Sequence, residues 1–102
     1  MTNDPELIGP EKAQKLVDNR HPESRPPIPD SRGTQVLIGL MKSGQWKSLK
    51  DGVENRICID EEGRLVDGVQ RMVAVIEADV EIEFLVCRGI EMGAVWDEYA
   101  RH

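Results

Sequence analysis

Aromatic residues are scarce in this chain: Trp46, Phe84, Trp96 and Tyr99 are the whole set. A core drawn from such a composition must be mainly aliphatic. Cysteine and histidine are scarcer still, at two each, Cys58 and Cys87, His21 and His102. Their spacing fits no zinc signature, so no metal site is expected. Both cysteines fall inside predicted strands and read as reduced, buried thiols. Positive charge is in deficit, with 13 Lys and Arg against 19 Asp and Glu, a net −6. That balance argues against a protein that grips nucleic acid through a broad basic surface, though it leaves room for a local basic pocket. No apolar run reaches the roughly 20 residues of a membrane span. The opening Met-Thr-Asn-Asp-Pro-Glu is acidic and holds no apolar signal segment. A cytoplasmic protein with no membrane partner is expected.

What the 102 residues do hold is enough apolar material for one domain with one core. Residues 1–9 are expected to be a flexible N-terminal tail, and 10–102 a single domain. Pro10 suits the first position of a short helix running to Asp18, with a thin apolar face of Ala13, Leu16 and Val17. Four prolines between His21 and Asp30 forbid regular helix and favour a stiff, extended loop. Asp30 or Ser31 can cap a second helix that ends near Ser43, with Val36, Leu37, Leu40 and Met41 as its buried stripe and Gly44 in the left-handed position after it. Gly33 and Gly39 weaken that helix, since a helical glycine costs about 1 kcal/mol against alanine. Trp46 is expected to cover the end of the core, and 47–54 to be a loop. Arg56 to Asp60 reads as a strand, Glu61-Glu62-Gly63 as a turn and 64–66 as the hairpin partner, with acidic Asp60-Glu61-Glu62 expected to be a solvated tip. A helix over 68–78 and a strand over 82–87 follow, and this order predicts a crossover that sets 64–66 parallel to 82–87.

The chain is organised around Gly63-Arg64-Leu65-Val66-Asp67-Gly68-Val69-Gln70-Arg71. A strand runs through an Asp-Gly corner directly into a helix. Asp67 is a good N-cap and Gln70, three residues on, completes a capping-box-like pair. The free N–H groups and the positive dipole end of that helix make a ready anion site. Capping alone also accounts for these residues, with Arg71 then at the surface. The arginines Arg20, Arg25, Arg32 and Arg56 either converge on this corner or are scattered surface cations.

The run Met41…Gly44…Trp46, then Ile59-Asp60…Gly63-Arg64-Leu65…Asp67-Gly68…Arg71…Ala74, resembles small ParB-like proteins of the ParB/sulfiredoxin superfamily, above all the short forms of actinobacteria and their phages. The resemblance implies an α/β fold, a small ParB/sulfiredoxin-like domain whose mixed sheet has a hairpin and a strand-helix-strand crossover, flanked by helices. In that family a Gly-x-x-Arg turn lies at the phosphates of a bound nucleotide. Carried over, it marks Gly68, Gln70 and Arg71 as ligand-binding, with Arg25 of Arg25-Pro26 as a looser match. The departures are specific. Short forms read Asp-Gly-Gln-His-Arg where this chain has Val69 and Gln70, and sulfiredoxin carries Cys-His there. Val69 cannot be a nucleophile and Gln70 has no titratable proton, so sulfiredoxin chemistry is not expected.

Met92, Val95, Trp96 and Tyr99 recur at i, i+3, i+4 and i+7 of a helix predicted over 91–100. They form either the last core helix or an interaction surface for a homodimer mate or partner protein, where Trp and Tyr are favoured anchors. The function expected is that of a phage-encoded, non-catalytic ParB-like domain that binds a host or partner protein. The alternative is a nucleotide- or phosphate-binding module that uses the Gly68–Arg71 helix N-terminus. A nucleotide hydrolase or nuclease has the least behind it, because no paired carboxylates or histidine cluster replace the altered motif positions. No cofactor beyond a nucleotide is implied, and nucleic acid is not expected as a partner without a separate DNA-binding domain.

Overall fold

A computed structural model describes residues 2–22, 24, 26–46 and 55–90. In chain order these form β1 (Thr2–Ile8), α1 (Pro10–Asp18), α2 (Arg32–Lys42), β2 (Arg56–Asp60), β3 (Leu65–Asp67), α3 (Val69–Ala78) and β4 (Ile82–Ile90). The described part is thus a small α/β protein with a mixed four-stranded sheet in the order β1-β4-β2-β3 and three helices. The interaction stripe Met92, Val95, Trp96 and Tyr99, the loop over 47–54 and Arg25 lie outside the described residues.

Strand β4 is central, antiparallel to β1 on one side and parallel to β2 on the other. Its Phe84 and Val86 join Ile57 and Ile59 of β2, Leu65 of β3 and Ile8 of β1 in the buried cluster beneath the helices. Helix α3 packs against both α1 and α2 and shares the buried cluster with the sheet. This placement explains why Val69, Met72, Val73, Ala74, Val75 and Ala78 are all buried: a helix covered on more than one face needs more than one apolar stripe.

Several local expectations hold. Pro10 opens α1, Ser31 caps α2 by accepting a hydrogen bond from the Thr34 amide at 3.2 Å, and Gly44 takes φ +73 after the helix. Trp46 packs partly buried against the core. Asn55 leads into β2, its Nδ2 donating to the Glu83 carbonyl at 2.8 Å and its own carbonyl accepting from the Leu85 amide at 2.8 Å.

Four expectations are corrected. Residues 2–8 are not a tail. They pair with β4 along its length, from Thr2 opposite Arg88 to Ile8 opposite Ile82. Pro5 is tolerated because β1 is an edge strand. What holds the strand is distant in sequence: Ile8 is fully buried, and the Glu6 carboxylate accepts from Arg88 of β4 and Lys12 of α1. Second, β3 is antiparallel to β2 and therefore also to β4, so 64–66 is not the parallel partner of 82–87. The tight hairpin commits β3 to lie beside β2, and α3 then carries the chain past β2 to reach β4. Third, of the stripe expected on α2, Met41 is buried and Leu37 packs on the core, but Val36 is 56% exposed and Thr34 and Ile38 are buried instead. The helix is turned because the Thr34 hydroxyl is satisfied in the interior, donating to Gln70 Oε1 at 2.9 Å.

Fourth, the hairpin tip is not simply solvated. Asp60 is 5% exposed. Its Oδ1 accepts from the amides of Glu62 (2.9 Å) and Arg64 (2.8 Å), and its Oδ2 accepts from Arg64 Nε at 2.9 Å. Burial pushes its pKa up, but the Arg64 backbone and side-chain hydrogen bonds and the Glu62 amide together outweigh it, and the net shift is downward. At the other end of the sheet, hydrogen bonds from Arg88 and then Lys12 pull the Glu6 carboxyl down to about 2.

Both carboxylates titrate lower in the folded than in the unfolded chain. Their stabilisation is present above the unfolded values and fades as pH falls through the folded ones. Urea denaturation should therefore show a stability that declines between pH 5 and pH 2. Glu6→Gln should flatten that decline by about 1–2 kcal/mol, a linkage figure reduced because the carboxyl is partly in water. A pH profile unchanged by the substitution would rule out the Glu6 clip as its source.

Candidate functional site

The corner from β3 into α3 is where the structure builds a pocket. Asp67 ends β3, and Gly68 takes φ +102 and ψ 15 as the N-cap of α3. Glycine is required here for two separate reasons. The backbone is left-handed, and a Cβ would stand 2.5 Å from Ile57 Cγ2 on the neighbouring strand. Asp67 is therefore not the cap, and Gln70 is not its capping-box partner. Gly68 has no side chain to offer, and α3 begins with no side-chain cap hydrogen bond. The amides of Val69, Gln70 and Arg71 are the first-turn donors that an α-helix cannot satisfy internally.

A pocket of about 230 Å³ lies at this helix end, lined by Leu37, Val66, Asp67, Gly68, Val69, Gln70 and Arg71. Three of the four expected ligand-binding residues, Gly68, Gln70 and Arg71, are thus brought together, and the fourth, Arg25, lies outside the described residues. Arg20, Arg32 and Arg56 do not join them. The Arg20 guanidinium donates to the Val17 carbonyl at 3.0 Å, and neither Arg32 nor Arg56 lines the pocket.

The pocket residues divide by what already holds them. Gln70 is committed to the fold: its Nε2 donates to the Pro26 carbonyl at 2.8 Å, while its Oε1 accepts from the Ile28 amide at 3.2 Å and the Thr34 hydroxyl. It ties the proline-rich segment and the start of α2 to the start of α3, and an incoming ligand would have to break that tie to use its amide. Arg71 donates through Nη1 to the Arg56 carbonyl, which holds the guanidinium against the first residue of β2. A guanidinium has five N–H donors, so one such bond leaves others for an anion. Electrostatically the site is mixed, since the Asp67 carboxylate opposes Arg71 and the helix dipole.

Leu37 and Val66, which form the apolar wall, are marked by the sequence as a helix-stripe residue and a strand residue, not as pocket lining. Val66 sits at the register shift where β3 carries one residue more than β2 between the Cys58–Asp67 and Ile59–Leu65 pairs. A bulge turns a side chain away from simple alternation, and no pattern of period two finds it. The Ser31-x-x-Thr34 spacing was the one available hint that Thr34 would be held internally, since the two hydroxyls share a 2.7 Å hydrogen bond.

Compared with known proteins, the chain matches no family model, and neither a curated protein nor a solved structure is significantly similar to it.

The Gly68–Ile57 contact makes a direct prediction. Gly68→Ala should cost about 2–4 kcal/mol, combining left-handed strain with overpacking. On an Ile57→Ala background the same change should cost about 1 kcal/mol less, because the 2.5 Å contact with Cγ2 is removed while the residue-57 Cβ at 3.0 Å and the left-handed strain remain. Equal costs in the two backgrounds, measured by urea denaturation, would show that the close approach does not demand glycine.

Proposed function

We propose that this chain is a small ParB/sulfiredoxin-type domain, cytoplasmic in location, that binds an anionic group at the start of α3 without turning it over. The observation that carries the reading is a helix start with glycine at its N-cap, opening on a pocket with an arginine in its wall. Such a start offers backbone donors and a partial positive charge at one point. Among the described residues that line the pocket there is one carboxylate and no thiol, hydroxyl or imidazole. Binding is therefore supported ahead of hydrolysis or nuclease chemistry. The volume is below the roughly 300–1,000 Å³ of drug-sized ligand sites, which favours the phosphate end of a nucleotide over the whole molecule.

A second reading, a phage-encoded protein that grips a host or partner protein, has its own ground in α2. Val36 stands out in solvent on that helix, and a Cβ added at Gly33 or Gly39 would touch nothing within 4 Å. Neither glycine has a positive φ, so the fold itself requires neither.

Isothermal calorimetry with inorganic phosphate and with adenine nucleotides at low salt tests the first reading. Wild type should bind, Arg71→Ala should lose at least about tenfold in affinity, and Arg71→Lys should recover part of it. Absence of heat in the wild type, or equal binding by Arg71→Ala, would remove the phosphate site. For the second reading, Val36→Asp should leave stability within about 0.5 kcal/mol of wild type, as an exposed substitution does. The same change should abolish capture of any host protein held by the immobilised wild-type chain. Identical captured bands from the two proteins would count against the α2 face.

A further inference from the structure

Cys58 and Cys87 are direct Cα partners in the parallel β2–β4 pair. Neither belongs to the cluster formed by their strand neighbours Ile57, Ile59 and Val86 beneath the helices. The alternation of a strand therefore places both thiols on the opposite side of the sheet. Cys87 is buried and Cys58 is half-buried, and both are free thiols. Adjacent strands lie about 4.7–4.9 Å apart. That spacing falls within the roughly 4.4–6.8 Å Cα separation of disulfides.

We propose that Cys58 and Cys87 form an oxidative modification site that closes reversibly to a disulfide across the β2–β4 pair when a peroxide reaches Cys58. The half-buried Cys58 reacts first. Its thiolate sulfur attacks one peroxide oxygen, the O–O bond breaks, and the leaving hydroxide takes up the thiol proton as water. The Cys87 sulfur then attacks the Cys58 sulfenic acid. The S–O bond breaks, the S–S bond forms, and hydroxide leaves with the Cys87 proton as a second water. The two thiols together lose two electrons, and hydrogen peroxide gains them.

Two features make the site slow and reversible. Burial, then the Asp67 carboxylate of β3 and Cys87 of β4, push the Cys58 thiol up to about 11 against the lowering effect of Arg56 on its own strand. Little thiolate exists at neutral pH, so brief exposure to peroxide leaves the pair reduced. Side chains in register on parallel strands stand farther apart than the roughly 3.8 Å Cβ separation of a relaxed disulfide. Closure therefore strains the bond, and strained disulfides are readily reduced. The register shift that follows Cys58 gives β2 a place to yield.

The test is peroxide treatment of the folded wild-type protein, followed by thiol alkylation and intact mass under non-reducing conditions. The expected product is a monomer lighter by two hydrogens, with both alkylation sites lost and both restored by dithiothreitol. Its rate of formation should rise roughly tenfold per pH unit from pH 7 to 9, as the thiolate fraction does. Cys58→Ser and Cys87→Ser should each abolish the loss of two hydrogens. The proposal is overturned if both thiols of the folded protein stay alkylatable while the urea-unfolded chain oxidises. It is equally overturned if the product is an intermolecular dimer, if Cys58 proceeds to sulfinic acid with Cys87 untouched, or if the rate is flat with pH.

Discussion

The backbone of Gly68 rests against the side chain of Ile57, and much of the molecule depends on that contact. With no Cβ at residue 68, the corner between β3 and α3 can approach β2 closely enough that an added methyl carbon would be 2.5 Å from Ile57. The approach sets where α3 begins and how far it slides along the sheet. Gln70, two residues into the helix, is thereby at the height to hold Pro26, Ile28 and Thr34. Arg71, one residue further, reaches the carbonyl of Arg56 on the same strand as Ile57. A left-handed residue at the N-cap also leaves the helix start without a side-chain acceptor. The same steric requirement thus positions the helix and puts a residue with no side chain at its N-cap.

Much of the local structure was legible because it is written in short-range chemistry. Pro10, Ser31 and Gly44 mark helix ends where fixed φ, side-chain capping and left-handed freedom are needed. The hairpin over 56–67 follows from two short apolar segments around an acidic turn with Gly63 at φ +82. What was not legible depends on partners far away in the chain. Thr2–Ile8 has poor strand propensity, and only the β4 ladder, the buried Ile8 and the Glu6 clip make it a strand. The face of α2 was misjudged because hydropathy ranks Val36 above Thr34, whereas Gln70, reaching across from α3, makes the polar residue the interior one. The pocket shows the same division: its backbone corner was readable, but the diversion of Gln70 into a structural tie was not.

Charge is used in this structure to fasten ends more than to cover a surface. Glu6 joins β1 to both β4 and α1 through Arg88 and Lys12. Asp60 folds the hairpin tip onto Arg64, and Arg64 also reaches Glu62 at 3.3 Å. Asp60 is the buried case, and burial is tolerable because its oxygens accept two backbone amides and a guanidinium N–H. Each clip secures an element with little apolar surface of its own. In a chain with four aromatic residues, such ties carry work that larger side chains do elsewhere.

The two faces of the sheet meet at Asp67. On one side this residue lines the pocket at the start of α3. On the other it is the Cα partner of Cys58, and its carboxylate helps hold the Cys58 thiol in its protonated form. Cys58 is also the covalent neighbour of Ile57, the residue beneath Gly68. The cysteine pair therefore adjoins both supports of the corner, the strand under Gly68 and the residue before it. After burial, the Asp67 carboxylate is the next largest influence that keeps Cys58 protonated. Asp67 thus stands between the pocket at the start of α3 and the thiol pair on β2 and β4.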